Sequence, residues 1–172
     1  MSAFIKWLEA RRVEDPRIRA DLKRSLSFDP GAHVPAFRWV EPFLQGDCTL
    51  WRRKAHYLVA GLWALHGDQD GLGQKIGTAT ARHQIQFNST SMEGRFMALL
   101  DADEDQLPNR LRQMVSLLKE QPLDFEALLE GILRWRSDSK WTQNEWARDF
   151  YHTLHIQDGP TADSNSPEET LR

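Results

Sequence analysis

One cysteine, Cys48, stands among 172 residues, so no internal disulfide and no cysteine-rich zinc module can be built. Such usage fits a reducing compartment, and a cytoplasmic location is expected. Long apolar runs are also missing. The longest, residues 57–65, falls well short of the roughly 20 residues that a membrane span needs, so no membrane partner is expected. The first residues lack a basic stretch followed by an apolar core and a cleavage site, so no secretory leader is expected. Alternating apolar and polar runs are absent too, which removes the usual signature of half-buried strands. Positive net charge is the last thing lacking. The chain has 22 Lys and Arg against 25 Asp and Glu, a formal net of −3, which taken whole argues against a polyanionic partner.

The distribution of charge says otherwise. Residues 1–57 carry 11 Lys and Arg against 7 Asp and Glu, a net of +4. Residues 58–157 carry 10 against 14 and residues 158–172 carry 1 against 4, nets of −4 and −3. A phosphate backbone responds to the local patch more than to the sum, so a basic face on an acidic chain is open.

What is present is helical. Phe4, Ile5 and Leu8 make a short apolar stripe. Asp15 and Pro16 have the form of an N-cap with proline at the first helical position, and Ile18, Leu22 and Leu26 follow at four-residue spacing. Asp29, Pro30 and Gly31 break the chain, and residues 34–44 predict a short helix ending near Glu41. A long helix is expected over 49–65 with Leu58, Leu62 and Leu65 on one face, then a loop, then helix over 72–82. Residues 83–91 read as a mobile loop. Further helices follow Ser91, Asp105 and Asp124, the last two acting as caps, and a final one starts at Ser139 or Thr142. The expectation is an all-α, compact bundle of about eight helices over residues 1–157, with two helical halves sharing a core and dividing near 83–91. Residues 158–172, rich in Gly, Pro, Ser and acids, are expected to form a disordered acidic tail.

Tests for catalysis find little. Asp101, Asp103 and Asp105 have the opening spacing of a calcium loop, but Gln106 stands where the turn needs glycine and Arg112 where a closing glutamate belongs. Asp149, His152 and His155 fall at i, i+3 spacings, without the glutamate of a zinc-protease helix. Gly71, Gly73 and Gly77 follow no strand and lack the lysine and hydroxyl of a phosphate-binding loop; close helix approach is the better reading. Seven tryptophans fall mostly beside apolar periodic positions, as packing residues do. No catalytic residue, metal or cofactor is expected.

Several cations resist a local explanation. Arg134 and Arg136 end a helix, where the dipole favours them. Arg52, Arg53 and Lys54 occupy a first turn, where the dipole opposes them and an anion would relieve the strain. Arg112, Ser116 and Lys119 form one polar stripe, Arg95 has only Glu93 nearby, and Lys23 and Arg24 close the second helix. From the residues alone, a grip on nucleic acid and docking to a protein remain rivals.

Ordered motifs narrow the choice. Residues 34–44 (VPAFRWVEPFL), 71–77 (GLGQKIG), 94–103 (GRFMALLDAD), 110–119 (RLRQMVSLLK), 123–135 (LDFEALLEGILRW) and 146–151 (WARDFY) resemble, in order and spacing, the CasB family. CasB is the small subunit of Cascade, the type I-E CRISPR surveillance complex, and the resemblance covers about residues 15–155. It implies a helical, two-part, non-nuclease protein present as a pair along the complex. Such a subunit helps hold crRNA and target DNA and stabilises the displaced strand of the R-loop, beside other Cascade subunits and a second copy of itself. Arg24, Arg52, Arg95 and Arg112 match basic positions of the family pattern, while Gln113 and Asp101 stand where some members are basic. Lys23, Arg53, Arg110 and Lys119 are added as nucleic-acid-binding candidates from this sequence alone.

Overall fold

The computed structural model describes residues 2–12, 14–67 and 72–159. Of the expected acidic tail, residues 160–172 lie outside this range. Nine α-helices are present among the described residues, with no strand, so the all-α expectation holds.

Helix α1 (Ala3–Ala10) is capped by Ser2, whose hydroxyl accepts from the Ile5 N–H. Ser2 is itself tied to α8, since its backbone N–H donates to Glu126 at 2.8 Å. Helix α2 (Pro16–Ser25) starts as the sequence predicts, with Asp15 accepting from the Arg17 N–H and proline in the first turn. Two 3-10 turns, Val34–Ala36 and Glu41–Phe43, flank the short α3 (Phe37–Val40). Helix α4 (Leu50–His66) is capped by Thr49 and stopped by Gly67 at φ +86°. From Ala55 to Ala64 every residue of α4 is buried, so it is the central helix, surrounded on all sides. The single apolar face of Leu58, Leu62 and Leu65 is too narrow a reading; small residues such as Ala60 and Gly61 are inside as well.

Helix α5 (Ile76–Phe87) corrects two expectations. It begins four residues later than position 72, and it runs through most of the segment read as a mobile loop, ending at Asn88 in the left-handed conformation (φ +47°). Its last turn has no buried apolar stripe, because Ile85 and Phe87 are exposed. That hides the helix from periodicity. Helix α6 (Met92–Leu100) follows, and then α7 (Leu107–Leu117). Gln106, not Asp105, stands at the N-cap of α7, and the capping carboxylate comes from Asp103, which accepts from the Gln106 N–H at 2.8 Å. Helix α8 (Phe125–Leu133) has Asp124 as its predicted cap. Helix α9 (Trp141–Asp158) has Lys140 at its N-cap rather than Ser139 or Thr142. Thr142 instead donates its hydroxyl to the Gly131 carbonyl, which pins α9 to α8.

One apolar cluster unites buried residues of α1 through α9, from Phe4 and Leu8 to Trp146 and Phe150. Helix α4 packs on α2, α7 and α8, and α5 packs on α9 and α6. Glycines set two of these approaches. A Cβ on Gly77 would lie 2.3 Å from the Trp146 carbonyl oxygen of α9, and one on Gly61 would lie 2.6 Å from Leu26. The close-approach reading of the 71–77 segment therefore holds at Gly73, which abuts the Leu123–Asp124 backbone, and at Gly77.

Candidate nucleic-acid interface

The end of α2 leaves carbonyl groups without intrahelical donors, and the helix dipole makes that end negative. Lys23 and Arg24 occupy this last turn, both exposed. Arg112 of α7 reaches the same place and donates from Nη1 to the Leu26 carbonyl at 3.2 Å. A bond between residues 86 positions apart thus brings Arg112 to the end of α2, whose last turn holds Lys23 and Arg24. None of them faces a carboxylate within ion-pair distance among the described residues.

The remaining candidates are dispersed. Arg52 is exposed in the first turn of α4. It lies nine residues before Gly61, where Leu26 packs, which is roughly 13 Å along the helix axis. Arg53 is committed locally. It pairs with Glu41, which also accepts from the Tyr57 hydroxyl at 2.7 Å. The Arg53 hydrogen bond holds the Glu41 carboxyl below the usual glutamate range, and burial followed by the Glu41 contact pushes the Tyr57 phenol well up. Arg95 is exposed on α6. Its expected neighbour Glu93 accepts instead from the Tyr151 hydroxyl of α9, leaving Arg95 without an acid partner among the described residues. Arg110 is exposed on α7, but two residues from Arg112 it projects about 160° away around the helix, so the two flank the exposed face rather than sharing a line. Lys119 is exposed beyond the end of α7 at Leu117, so the predicted stripe of Arg112, Ser116 and Lys119 leaves the helix before its last member.

Two adjoining pockets with shared lining residues form a cleft between α2, α4 and α7. Pro30, Leu58 and Pro108 run along it, Lys54 and Trp51 stand toward one end, and Arg112 stands at the other. Asp29, Glu104 and Asp105 line it as well, so its interior is mixed in charge, while Lys23, Arg24 and Arg52 are on no part of its lining. Lys54 belongs to the first-turn cluster of the sequence, but only tertiary structure reveals that its pocket adjoins the one that Arg112 lines.

Two of the residues tested for metal binding are engaged elsewhere. Asp103 caps α7, and Asp149 lies 3.9 Å from Lys75 with its carboxyl pushed up by burial. His152 and His155 are exposed. No three His, Cys, Asp or Glu side chains gather as a ligand set among the described residues. No helix among the described residues is long and apolar enough to cross a membrane.

The model of the CRISPR-associated protein Cse2 family matches residues 18–151. The chain belongs to the CasB/Cse2 family. A Cse2 protein of Thermus thermophilus is 43% identical over 153 residues, covering 86% of this chain and 88% of the relative. A solved Cse2-family structure from the same organism superposes with a TM-score of 0.81 at 42% identity, covering 88% of this chain and 99% of that one. CasB of M. ruber gives 0.76 at 33% identity, with 91% and 94% covered. A chain of a CRISPR RNA-guided surveillance complex shares the fold, with a TM-score of 0.78 at 23% identity and coverage of 91% and 94%. The Cse2 assignment agrees with the order of motifs in the sequence.

Proposed function

We propose that this chain is a non-catalytic subunit of a type I-E CRISPR surveillance complex, where it helps hold crRNA and target DNA and stabilises the R-loop through backbone contacts. The observation that carries this reading is that Arg112 bonds to the end of α2, whose last turn carries Lys23 and Arg24, all three exposed and without a carboxylate partner among the described residues. Family membership supports it, since the relatives include a chain of a surveillance complex. Arg52, Arg95, Arg110 and Lys119 extend the contact as dispersed phosphate ligands, and Arg53 drops out because Glu41 neutralises it. The partners are crRNA, the target and displaced DNA strands, other Cascade subunits and a second copy of the chain, in the cytoplasm.

Physics favours such a role for a scattered basic surface. Exchange of a DNA duplex for an RNA–DNA heteroduplex is nearly balanced, so modest backbone contacts tip it. Each neutralised phosphate releases condensed counterions and adds about 0.9 to the salt slope on duplex DNA. Sequence information resides in base pairing and needs no base-reading element here.

The test is the assembled complex with Arg24→Ala and Arg112→Ala together, titrated onto target duplex at several salt concentrations. The variant should bind more weakly at moderate salt, with a slope shallower by about one to two. Unchanged affinity and slope, with the complex intact, would refute the proposal.

A further inference from the structure

Trp141, the first residue of α9, is 43% exposed, whereas the other six tryptophans are buried or half-buried. Four of those six donate the indole N–H to a partner inside the fold: Trp39 to Asp21, Trp51 to Ile132, Trp63 to Glu9 and Trp135 to Ala102. Trp141 has a different neighbour. The Arg134 guanidinium carbon lies 4.8 Å from its ring centroid, and Arg134 is exposed with no carboxylate partner among the described residues. The helix dipole favours a cation at the end of α8, as the sequence suggests, but does not require it to cover an exposed indole.

The concave surface beside this pair is lined by Leu133, Arg134, Ser137, Ser139 and Trp141, with no carboxylate among them. Lys140 is exposed next to it and also unpaired among the described residues. Asp138 is the acid of the same turn, and Arg136 is held by Glu104. Glu130 and Glu145 belong to a separate pocket that also touches Trp141, where Lys75 holds Glu145 at 2.8 Å. The α8–α9 turn therefore presents a shallow, cationic and aromatic shelf flanked by hydroxyls, unlike the cleft of mixed charge at Lys54 and Arg112.

We propose that Trp141 and Arg134 form a stacking shelf for an unpaired nucleobase of single-stranded nucleic acid, with Lys140 neutralising an adjoining phosphate. Planar bases stack on indole faces and on guanidinium planes, and the interaction tolerates any base. An apolar peptide anchor would need a deeper pocket, and an acidic one would leave the indole unused. This inference rests on the nucleic-acid reading above and deepens it, adding contact with bases of a single strand to contact with phosphates.

The experiment measures binding of the full-length chain to an oligothymidylate and to a matched oligonucleotide with abasic sugars. Trp141→Ala should weaken oligothymidylate binding about tenfold, within the range for one stacked base, and leave abasic binding and the salt slope unchanged. Trp141→Phe should retain most of the affinity, and Lys140→Ala should lower the slope by about 0.7 on either probe. Arg134→Gln, at an exposed position, should show a smaller base-dependent loss even where the alanine variant folds poorly. Equal losses on both probes, or none, overturn the shelf. So does a Trp141→Ala protein that binds oligothymidylate normally but fails to assemble, which would mark a protein contact. If Arg24→Ala with Arg112→Ala weakens both probes while the Trp141 and Arg134 variants change nothing, the shelf falls and the charge-based function stands. If the wild-type chain binds neither probe at low salt, the shelf falls, and the charge-based function is decided by the assembled-complex titration above.

Discussion

The α5–α9 seam and the α2–α7 seam treat charge in opposite ways. At α5–α9, Lys75 meets Glu145 at 2.8 Å and Asp149 at 3.9 Å, while Tyr151 of α9 donates to Glu93 of α6. The helices touch backbone to backbone at Gly77, and their polar groups look toward each other. At α2–α7, Arg112 finds only a carbonyl, and Lys23 and Arg24 make no ion pair among the described residues. A cation in a chain thus means structure or ligand according to what the facing helix carries. The first seam satisfies its charges internally, and the second leaves unpaired the cations on which the proposed function rests.

The comparison breaks most visibly at Gly77. A Cβ there would stand 2.3 Å from the Trp146 carbonyl oxygen, backbone that cannot swing aside, so Gly77→Val must push α5 and α9 apart. Overpacking of this kind costs about 1–3 kcal/mol, and the rigid backbone partner places it at the upper end. The urea midpoint should fall sharply for Gly77→Val and hardly move for Arg24→Ala with Arg112→Ala. A midpoint loss of similar size in both would dissolve the distinction between the seams.

A third junction sharpens it with neutral bonds. His66, at the end of α4, lies with Nε2 3.0 Å from the Leu118 carbonyl and 2.9 Å from that of Gln121. Both carbonyls accept, so Nε2 carries the hydrogen, and Nδ1 is buried without a partner. Burial lowers the pKa of His66 below its ordinary 6.5, and burial does the same for His56. The unfolded chain therefore takes up protons that the folded chain refuses as pH falls through about 6.5. Stability is full above that value and declines below it, until the lowered folded pKa values are reached. Urea midpoints at about pH 7.5 and 5.5, on either side of the ordinary histidine pKa, should differ for the native chain and differ less for His66→Gln. Equal pH sensitivity in the two would remove His66 from this account.

How far the sequence reveals these roles depends on the range of the interaction. Caps are local, so Asp15 with Pro16 and Asp124 with its following apolar residues are legible, and both helices start where predicted. The end of α5 is not legible, because Ile85 and Phe87 face solvent and leave no periodic stripe. Each member of the trio at the α2–α7 seam stands out in the sequence as a cation, yet nothing in the chain order says that Arg112 reaches Leu26. Glu145 as the partner of Lys75, 70 residues away, is equally invisible. Trp141 and Arg134 read as a packing residue and a dipole-favoured cation, since exposure is a property of the folded surface alone.

The finest discrimination lies between adjacent residues of α4. Arg52 and Arg53 look alike in a first turn that disfavours cations, and the same anion reading covers both. Folded, Arg53 pairs with Glu41 across the turn that precedes α4, while Arg52 has no carboxylate partner among the described residues. An arginine already neutralised by a carboxylate gains little from a phosphate, because it must first give up its partner. Arg52→Ala in the assembled complex should therefore reduce the salt slope on target duplex by up to about 0.9. Arg53→Ala should leave that slope unchanged and lower the urea midpoint modestly, because the pair is half-buried and Glu41 keeps its Tyr57 hydrogen bond. If both variants lower the slope alike, the Glu41 pair opens to admit phosphate, and Arg53 returns to the interface.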